Sequence, residues 1–356
     1  MKRFYFLTSC LLAGATSAFS QASNCTQVLR LVRTTYEQGR LHELPGLTEG
    51  CLRGTGIQGF NKEERKEAYR YLTLSYIYLE EPEKADEMML QLLSTDHFYQ
   101  PNQDVDPAEF IALYNKFRHD PLFRIAIKFG SNLTQPVASR IYNIGSAGAA
   151  KGKYAMSPSF QVSLAFEKDI TKKLPLVLVA ELGYISRSYS YTNGQLATAD
   201  EDPTMAISTQ EFVFTQNFLD LNVIGQYKFK NTIALQTYVG GGPGISYLLS
   251  SSNQATTLLG NGFTVTGLSV DDINSYNKLL VSAMVVAGIK YKFGEVYVTA
   301  EARYQMGFTD VVKSSSRTNP EIAFDYQGRY NDYKINNFML NLGVTIPYFK
   351  PKKLIK

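Results

Sequence analysis

The sequence predicts a membrane-spanning all-β barrel of eight antiparallel strands with a small all-α domain in front of it. Three observations carry the prediction. Runs of period-two alternation in the second part of the chain exceed the roughly 5–6 residues of a globular strand, and about ten tilted residues cross a bilayer. From Cys25 to His119 the apolar period is instead that of a helix. The connections between strands alternate strictly between short and long, as in barrels with one turn-rich and one loop-rich rim.

The stretch Lys278 to Phe308 shows the pattern most clearly. Val281, Ala283, Val285, Ala287, Ile289, Tyr291 and Phe293 share one face, and Ser282, Met284, Gly288, Lys290 and Lys292 the other. Gly294 and Glu295 close a hairpin. Val296, Val298, Ala300, Ala302, Tyr304, Met306 and Phe308 then alternate with Tyr297, Thr299, Glu301, Arg303, Gln305 and Gly307. The second face mixes small residues with a few charges, which suits a narrow lumen, whereas a soluble lipocalin-type barrel would place large apolar groups inside.

The other strands follow the same rule. Phe123, Ile125, Ile127 and Phe129 alternate with Arg124, Ala126, Lys128 and Gly130; Phe160, Val162, Leu164 and Phe166 with Gln161, Ser163, Ala165 and Glu167. Leu176 to Tyr184 oppose Val179, Glu181, Gly183 and Arg187. Leu219, Leu221, Val223 and Tyr227 oppose Asp220, Asn222, Gln226 and Lys228, and Ile233, Leu235 and Val239 oppose Gln236, Tyr238, Gly240, Gly242 and Gly244. Phe338 to Tyr348 alternate with Met339, Asn341, Gly343 and Thr345. Short links lie near 169–173, at Lys230 and Asn231, and at Gly294; long ones cover 133–156, 190–211, 250–275 and 310–332.

Eight strands leave room only for side chains inside. Inward Arg124, Lys128, Glu167, Glu181, Arg187, Asp220, Lys290, Glu301 and Arg303 are therefore expected to pair as a polar network, because buried charges persist when paired. Gly240 to Gly244 continue a strand and precede no helix, so they do not form a phosphate loop.

Residues 1–20 combine Lys2 and Arg3, an apolar run and Ala18-Phe19-Ser20, the pattern of a secretory signal peptide. Cys10 lies inside the apolar run, which disfavours lipid anchoring there. The whole chain carries 36 basic and 32 acidic residues, net +4, and loss of Lys2 and Arg3 lowers this to +2, so no nucleic-acid partner is implied. Cys25 and Cys51 remain as an even pair in an exported protein, the setting for a disulfide that would contribute about 3.5 kcal/mol.

The all-α domain, 21–120, opens with a helix through Leu29, Leu31, Val32 and Tyr36 and a shorter segment broken around Pro45 and Gly46. Lys62 to Leu79 and a helix opened by Pro82 then form a hairpin. Asp106, Pro107 and Glu109 read as N-cap, N1 and N3 of a last helix carrying Phe110, Leu113, Tyr114 and Phe117. The hairpin resembles a tetratricopeptide repeat: Tyr69, Leu72, Tyr76, Ala85, Met89 and Leu92 match its large, Leu, Tyr, small, aromatic and small positions, while Thr73, Leu92 and His97 depart from the usual residues. Tyr69, Tyr76, Tyr78, Phe98 and Tyr99 are the candidate partner surface.

Residues 121–350 resemble the eight-stranded outer-membrane barrel family of OmpA/OmpX and PorT type, with 351–356 as a basic tail; Lys350 beside it and Lys352, Lys353 and Lys356 within it are expected at the periplasmic surface. The resemblance implies outer-membrane location and adhesion, envelope anchoring or service to a secretion machine. Lipid-modifying barrels of this size generally rely on a histidine, and His42, His97 and His119 all precede the barrel. No metal-ligand cluster, dinucleotide motif or cofactor site is expected. The expected role is a non-enzymatic scaffold in contact with outer-membrane lipid, whose periplasmic helical module binds a protein partner. A receptor or adhesin acting through four outer loops is the alternative, and an outer-leaflet lipid enzyme the third reading.

Overall fold

The computed structural model describes residues 24–140, 152–171, 174–194, 209–229, 234–258, 263–318 and 331–354. The leader expected over 1–20, and Lys173, Lys230, Asn231, Ile233 and Lys356, lie outside them. The chain divides into two compact units, one of residues up to Asp120 together with Phe349 onward, the other Pro121–Tyr348.

In the first unit, α1 (Asn24–Glu37), α2 (Leu44–Arg53), α3 (Lys62–Tyr78), α4 (Pro82–Thr95) and α5 (Ala108–Asn115) pack around buried Val32, Leu44, Leu72, Leu74, Met89, Leu92, Leu93 and Phe110. A capping box starts α3: the Glu64 amide donates to Asn61 Oδ1 at 2.9 Å and the Asn61 amide to Glu64 Oε2 at 3.0 Å. Glu80 at φ 57° turns the chain into α4, which Pro82 opens. Cys25 and Cys51 form a disulfide that joins α1 to α2.

Three local expectations differ. Pro45 and Gly46 do not break a helix; Pro45 sits in the first turn of α2, where its missing N–H is not needed. Asp106 is not the N-cap of α5. Pro107 holds that position, and the Asp106 carboxylate instead accepts from Arg70 Nε at 2.8 Å and from the Asn102 amide at 2.7 Å. Leu31 is exposed on α1 rather than in the core.

In the second unit eight strands close a ring: β1 (Phe123–Arg140), β2 (Lys153–Asp169), β3 (Leu176–Gly194), β4 (Thr209–Lys228), β5 (Leu235–Leu258), β8 (Leu279–Phe293), β9 (Val296–Gly307) and β10 (Asp332–Tyr348). Each pairs antiparallel with its neighbours, β5 pairs β8, and β1 pairs β10 with Phe123 opposite Tyr348. Two short strands, β6 (Thr264–Thr266) and β7 (Val270–Asp271), fold back on β5. Gly294, at φ 61°, makes the β8–β9 turn, a conformation a Cβ would strain.

The strands run further than the apolar pattern indicates. β5 continues to Leu258 and pairs through Ser250 to Thr257 with β4, so segments expected as loops in 190–211 and 250–275 are partly sheet. Three register shifts, at Ala138/Arg140, Ser157/Gln161 and Asn217/Phe218, mark the passage into these extensions.

The outward face is a continuous apolar band that includes Ile127, Leu164, Leu182, Leu221, Val285, Leu340, Leu342 and Val344, all exposed. Along β10, from Tyr348 to Phe338, about ten residues at roughly 3.3 Å rise and a tilt near 40° give a band of about 25 Å, the height of a hydrocarbon core seen by a barrel. Phe123, Phe166, Tyr227, Phe229, Tyr291, Phe293 and Tyr348 cluster toward the short-turn rim and supply its aromatic girdle without tryptophan. Leu342 is 66% exposed within the band. Leu342→Arg is therefore expected to destabilise the folded barrel in vesicles by about 2–4 kcal/mol, read as a lowered urea midpoint, while a leucine-to-phenylalanine change there leaves it close to unchanged.

Candidate functional site

Period two places one inward residue at every second position, so registration of neighbouring strands decides which inward charges meet. Glu181 on β3 and Glu301 on β9 approach Lys128 on β1 at 3.0 and 3.2 Å. Arg303, two residues along β9 from Glu301, grips both carboxylates, with Nη2 2.6 Å from Glu181 Oε2 and 2.5 Å from Glu301 Oε1. These four charges sum to zero and are sealed, Lys128 at 1% and Glu301 at 0% side-chain exposure. Tyr238 donates to Glu301 Oε2 at 2.7 Å.

Two further groups flank this quartet. Toward the short-turn rim, Lys290 pairs with Glu167 and lies 5.2 Å from the centre of the Tyr238 ring, while Arg124 at 2.9 Å and Lys228 share Asp169. Toward the long-loop rim, Arg187 pairs with Asp220 at 3.1 Å, donates to Ser246 Oγ at 3.2 Å and Gln305 Oε1 at 3.1 Å, and stacks 4.4 Å from the Phe218 ring centre. Arg124, Lys128, Glu167, Glu181, Arg187, Asp220, Lys290, Glu301 and Arg303 are thus all brought into the lumen, in three layers of which two are joined through Tyr238. Asp169 and Lys228 belong with them; Lys228 is in the inward alternation of β4, whereas Asp169, expected in the short link 169–173, instead ends β2, and their pairing across strands requires the register.

Beyond Arg187 the interior becomes aromatic. Tyr189, Tyr191, Phe214, Phe218, Tyr333, Ile335 and Met339 pack together, and the connecting segments bring in Tyr276, Val311 and Val312. Tyr276 bridges Val312, and Val311 donates its amide to the Tyr333 carbonyl at 2.9 Å, which folds these connections over the long-loop end. Tyr189 and Tyr333 share a hydroxyl hydrogen bond of 2.5 Å.

On the helical unit the candidate surface is mostly consumed by packing. Tyr69 and Tyr99 pack against the α3–α4–α5 core, Tyr76 against the α1–α2–α3 core, and Phe98 meets Phe349 edge-on at 5.1 Å. Of the five, Tyr78 alone is exposed, at 50%. Aromatic residues in a thin helical layer face inward because each buries a large apolar area, a preference that residue type alone does not separate from surface use. Burial raises the phenol of Tyr99, with the Asp106 carboxylate adding to the effect, and pushes that of Tyr114 up to about 12, with Asp120 and Asp96 adding. A cleft of 290 Å³ lies beside Tyr99 at the start of α3, lined by Asn61, Glu64, Glu67 and Arg70.

His97 and His119 also have structural partners. His97 Nδ1 lies 2.8 Å from the Leu93 carbonyl and its ring stacks on Phe349, and His119 stacks on Tyr114. The tail is not a free terminus. Its Lys353 pairs with Asp86 of α4, and the Arg118 amide donates to the Lys352 carbonyl at 2.9 Å. Among the described residues no group of three or more His, Cys, Asp or Glu side chains is arranged to hold a metal ion.

A family model described as the outer membrane protein beta-barrel domain matches residues 115–313, more than half of the chain. No curated protein sequence matches. Among solved structures, Neisserial surface protein A is 14% identical at a TM-score of 0.31, over 64% of this chain and 97% of that one. OprG from Pseudomonas aeruginosa is 14% identical at 0.34, over 65% and 98%. The outer membrane protease OmpT from Escherichia coli is 11% identical at 0.28, over 64% and 96%.

Proposed function

Because the chain belongs to the outer membrane protein beta-barrel family, we propose that its barrel is an anchor and that its helical unit, on the periplasmic side, is a non-enzymatic scaffold that recruits a protein partner of an envelope or secretion complex. The barrel's place is the outer membrane. One observation carries the rest: the helical unit has its own apolar core and its own disulfide, and it is spliced into the chain at both ends of the barrel, before Pro121 and after Tyr348. Phe123 and Tyr348 are paired neighbours, so both connections leave from the short-turn rim. In barrels of this kind short turns are periplasmic. The α3–α4 hairpin, with its resemblance to a tetratricopeptide repeat, supports protein binding as the role of this unit. The lumen supports anchoring: among the described residues its charges pair with one another and its long-loop end is filled by aromatic side chains.

The test is a cross-linked pull-down from solubilised outer membranes with the full chain and with a form lacking 25–119. Specific periplasmic proteins captured by the first and lost from the second are the expected result; identical material from both removes the scaffold role. The sheet extensions of β3, β4 and β5 beyond the apolar band favour a second reading, a surface receptor or adhesin. Shortening those hairpins would then abolish the phenotype while removal of 25–119 would not.

A further inference from the structure

The last described residues, Phe349 to Leu354, form a strap on the helical unit. Phe349 stacks on His97, ring centres 5.1 Å apart and planes 16° apart, and meets Phe98 edge-on. The main chain pairs at both ends of the contact: Arg118 N donates to Lys352 O at 2.9 Å, Leu354 N to Lys116 O at 2.8 Å, and Phe117 and Lys353 form an antiparallel bridge between them. Four residues after the aromatic anchor, Lys353 pairs with Asp86. Asp86 stands on α4 between Glu83 and Glu87, with Glu81 paired to Lys84, and the strap is basic, with Lys350, Lys352 and Lys353.

An aromatic anchor, a short run of backbone pairing and one charge pair are how extended peptides are recognised, and none of these contacts needs the covalent link to Tyr348. We propose that this seat is a peptide-docking site of the helical unit, held shut by the chain's own C-terminal segment and opened when an extended partner segment carrying an aromatic residue and, four positions on, a lysine or arginine displaces it. The inference rests on the recruiting role given above and names the chemistry of the partner. A tethered strap has an effective concentration in the millimolar range, so it holds off a competitor even though its own contacts are few and its ion pair is partly exposed. With an intrinsic Kd of about 100 μM for the strap on its seat, an effective concentration of about 1 mM weakens the apparent affinity of a competing segment about tenfold.

The probe is a fluorescent peptide of residues 349–356, titrated in detergent into the full chain and into a form ending at Tyr348. The shortened form is expected to bind it about tenfold or more tightly than the full chain, and Phe349→Ala or Lys353→Glu in the peptide to remove that binding. Asp86→Lys in the shortened form should lose the natural peptide and recover the Lys353→Glu peptide. A full-length Phe349→Ala/Lys353→Glu chain, which keeps its length, should take up the natural peptide as the shortened form does. Equal binding to shortened and intact chains, indifference to both peptide changes, or failure of both opened forms overturns the proposal. Peptide binding with this pattern but no captured partner removes the recruiting role alone; partner capture without it removes the strap alone.

Discussion

Arg303→Ala is expected to lower the unfolding free energy of the barrel by about 3–5 kcal/mol, because it strips Glu181 and Glu301 of the guanidinium they share and leaves two sealed carboxylates around Lys128. The midpoint of urea unfolding, followed by the mobility of the unheated protein in gels, measures it. The companion variant decides the cause. Replacing Lys128, Glu181, Glu301 and Arg303 together with apolar residues of similar volume removes a neutral quartet whole and is expected to cost less than the single change. A single change that costs under about 0.5 kcal/mol means the carboxylates are hydrated in the lumen, and the quartet is then not a structural lock.

The second large effect lies in the other unit. Cys25→Ala/Cys51→Ala opens a covalent loop of sequence separation 26, worth about 3.5 kcal/mol in a chain-entropy account. For a helical layer of this size that corresponds to a fall of about 15–25 °C in its melting temperature, followed by far-ultraviolet circular dichroism. Reductant should reproduce the effect on the natural chain and leave the variant unmoved. The gel mobility of the barrel should not respond, since Cys25 and Cys51 lie in a cluster of the helical unit with Leu29, Phe60 and Ala68, flanked by Val28 and Leu52. A barrel that loosens together with the disulfide contradicts two independently folded units.

The strands were legible because lipid on one side and a narrow lumen on the other impose an alternation that a reader can count, as at Val281 to Phe293. The inward placement of Glu181, Glu301 and Arg303 follows from the same count. Which inward charges meet does not, because it depends on the register of strands far apart in the chain, Lys128 meeting Glu301 for example. The extensions were illegible for the opposite reason. Ser250, Ser251, Ser252, Asn253 and Gln254 face water on one side and polar neighbours on the other, so no alternation survives, although the backbone ladder to β4 continues. Asp106 shows the limit of local reading: its cap signature is sound, but Arg70, 36 residues earlier, competes for the carboxylate and wins with a charged pair. The strap was missed because a terminal run of lysines reads as solvated until Asp86 of α4 is placed beside it.

Closure through Phe123 opposite Tyr348 also dictates a sequence of events. The contact that seals the ring joins the two extremes of the barrel segment, so it carries the largest loop entropy and is the slow step of folding. Until it forms, β1 and β10 each present an unpaired edge open to a wrong neighbour. The helical unit is synthesised before any strand, whereas Phe349 to Leu354 follow β10. During export the module is therefore complete before the residues proposed to cover its seat have emerged.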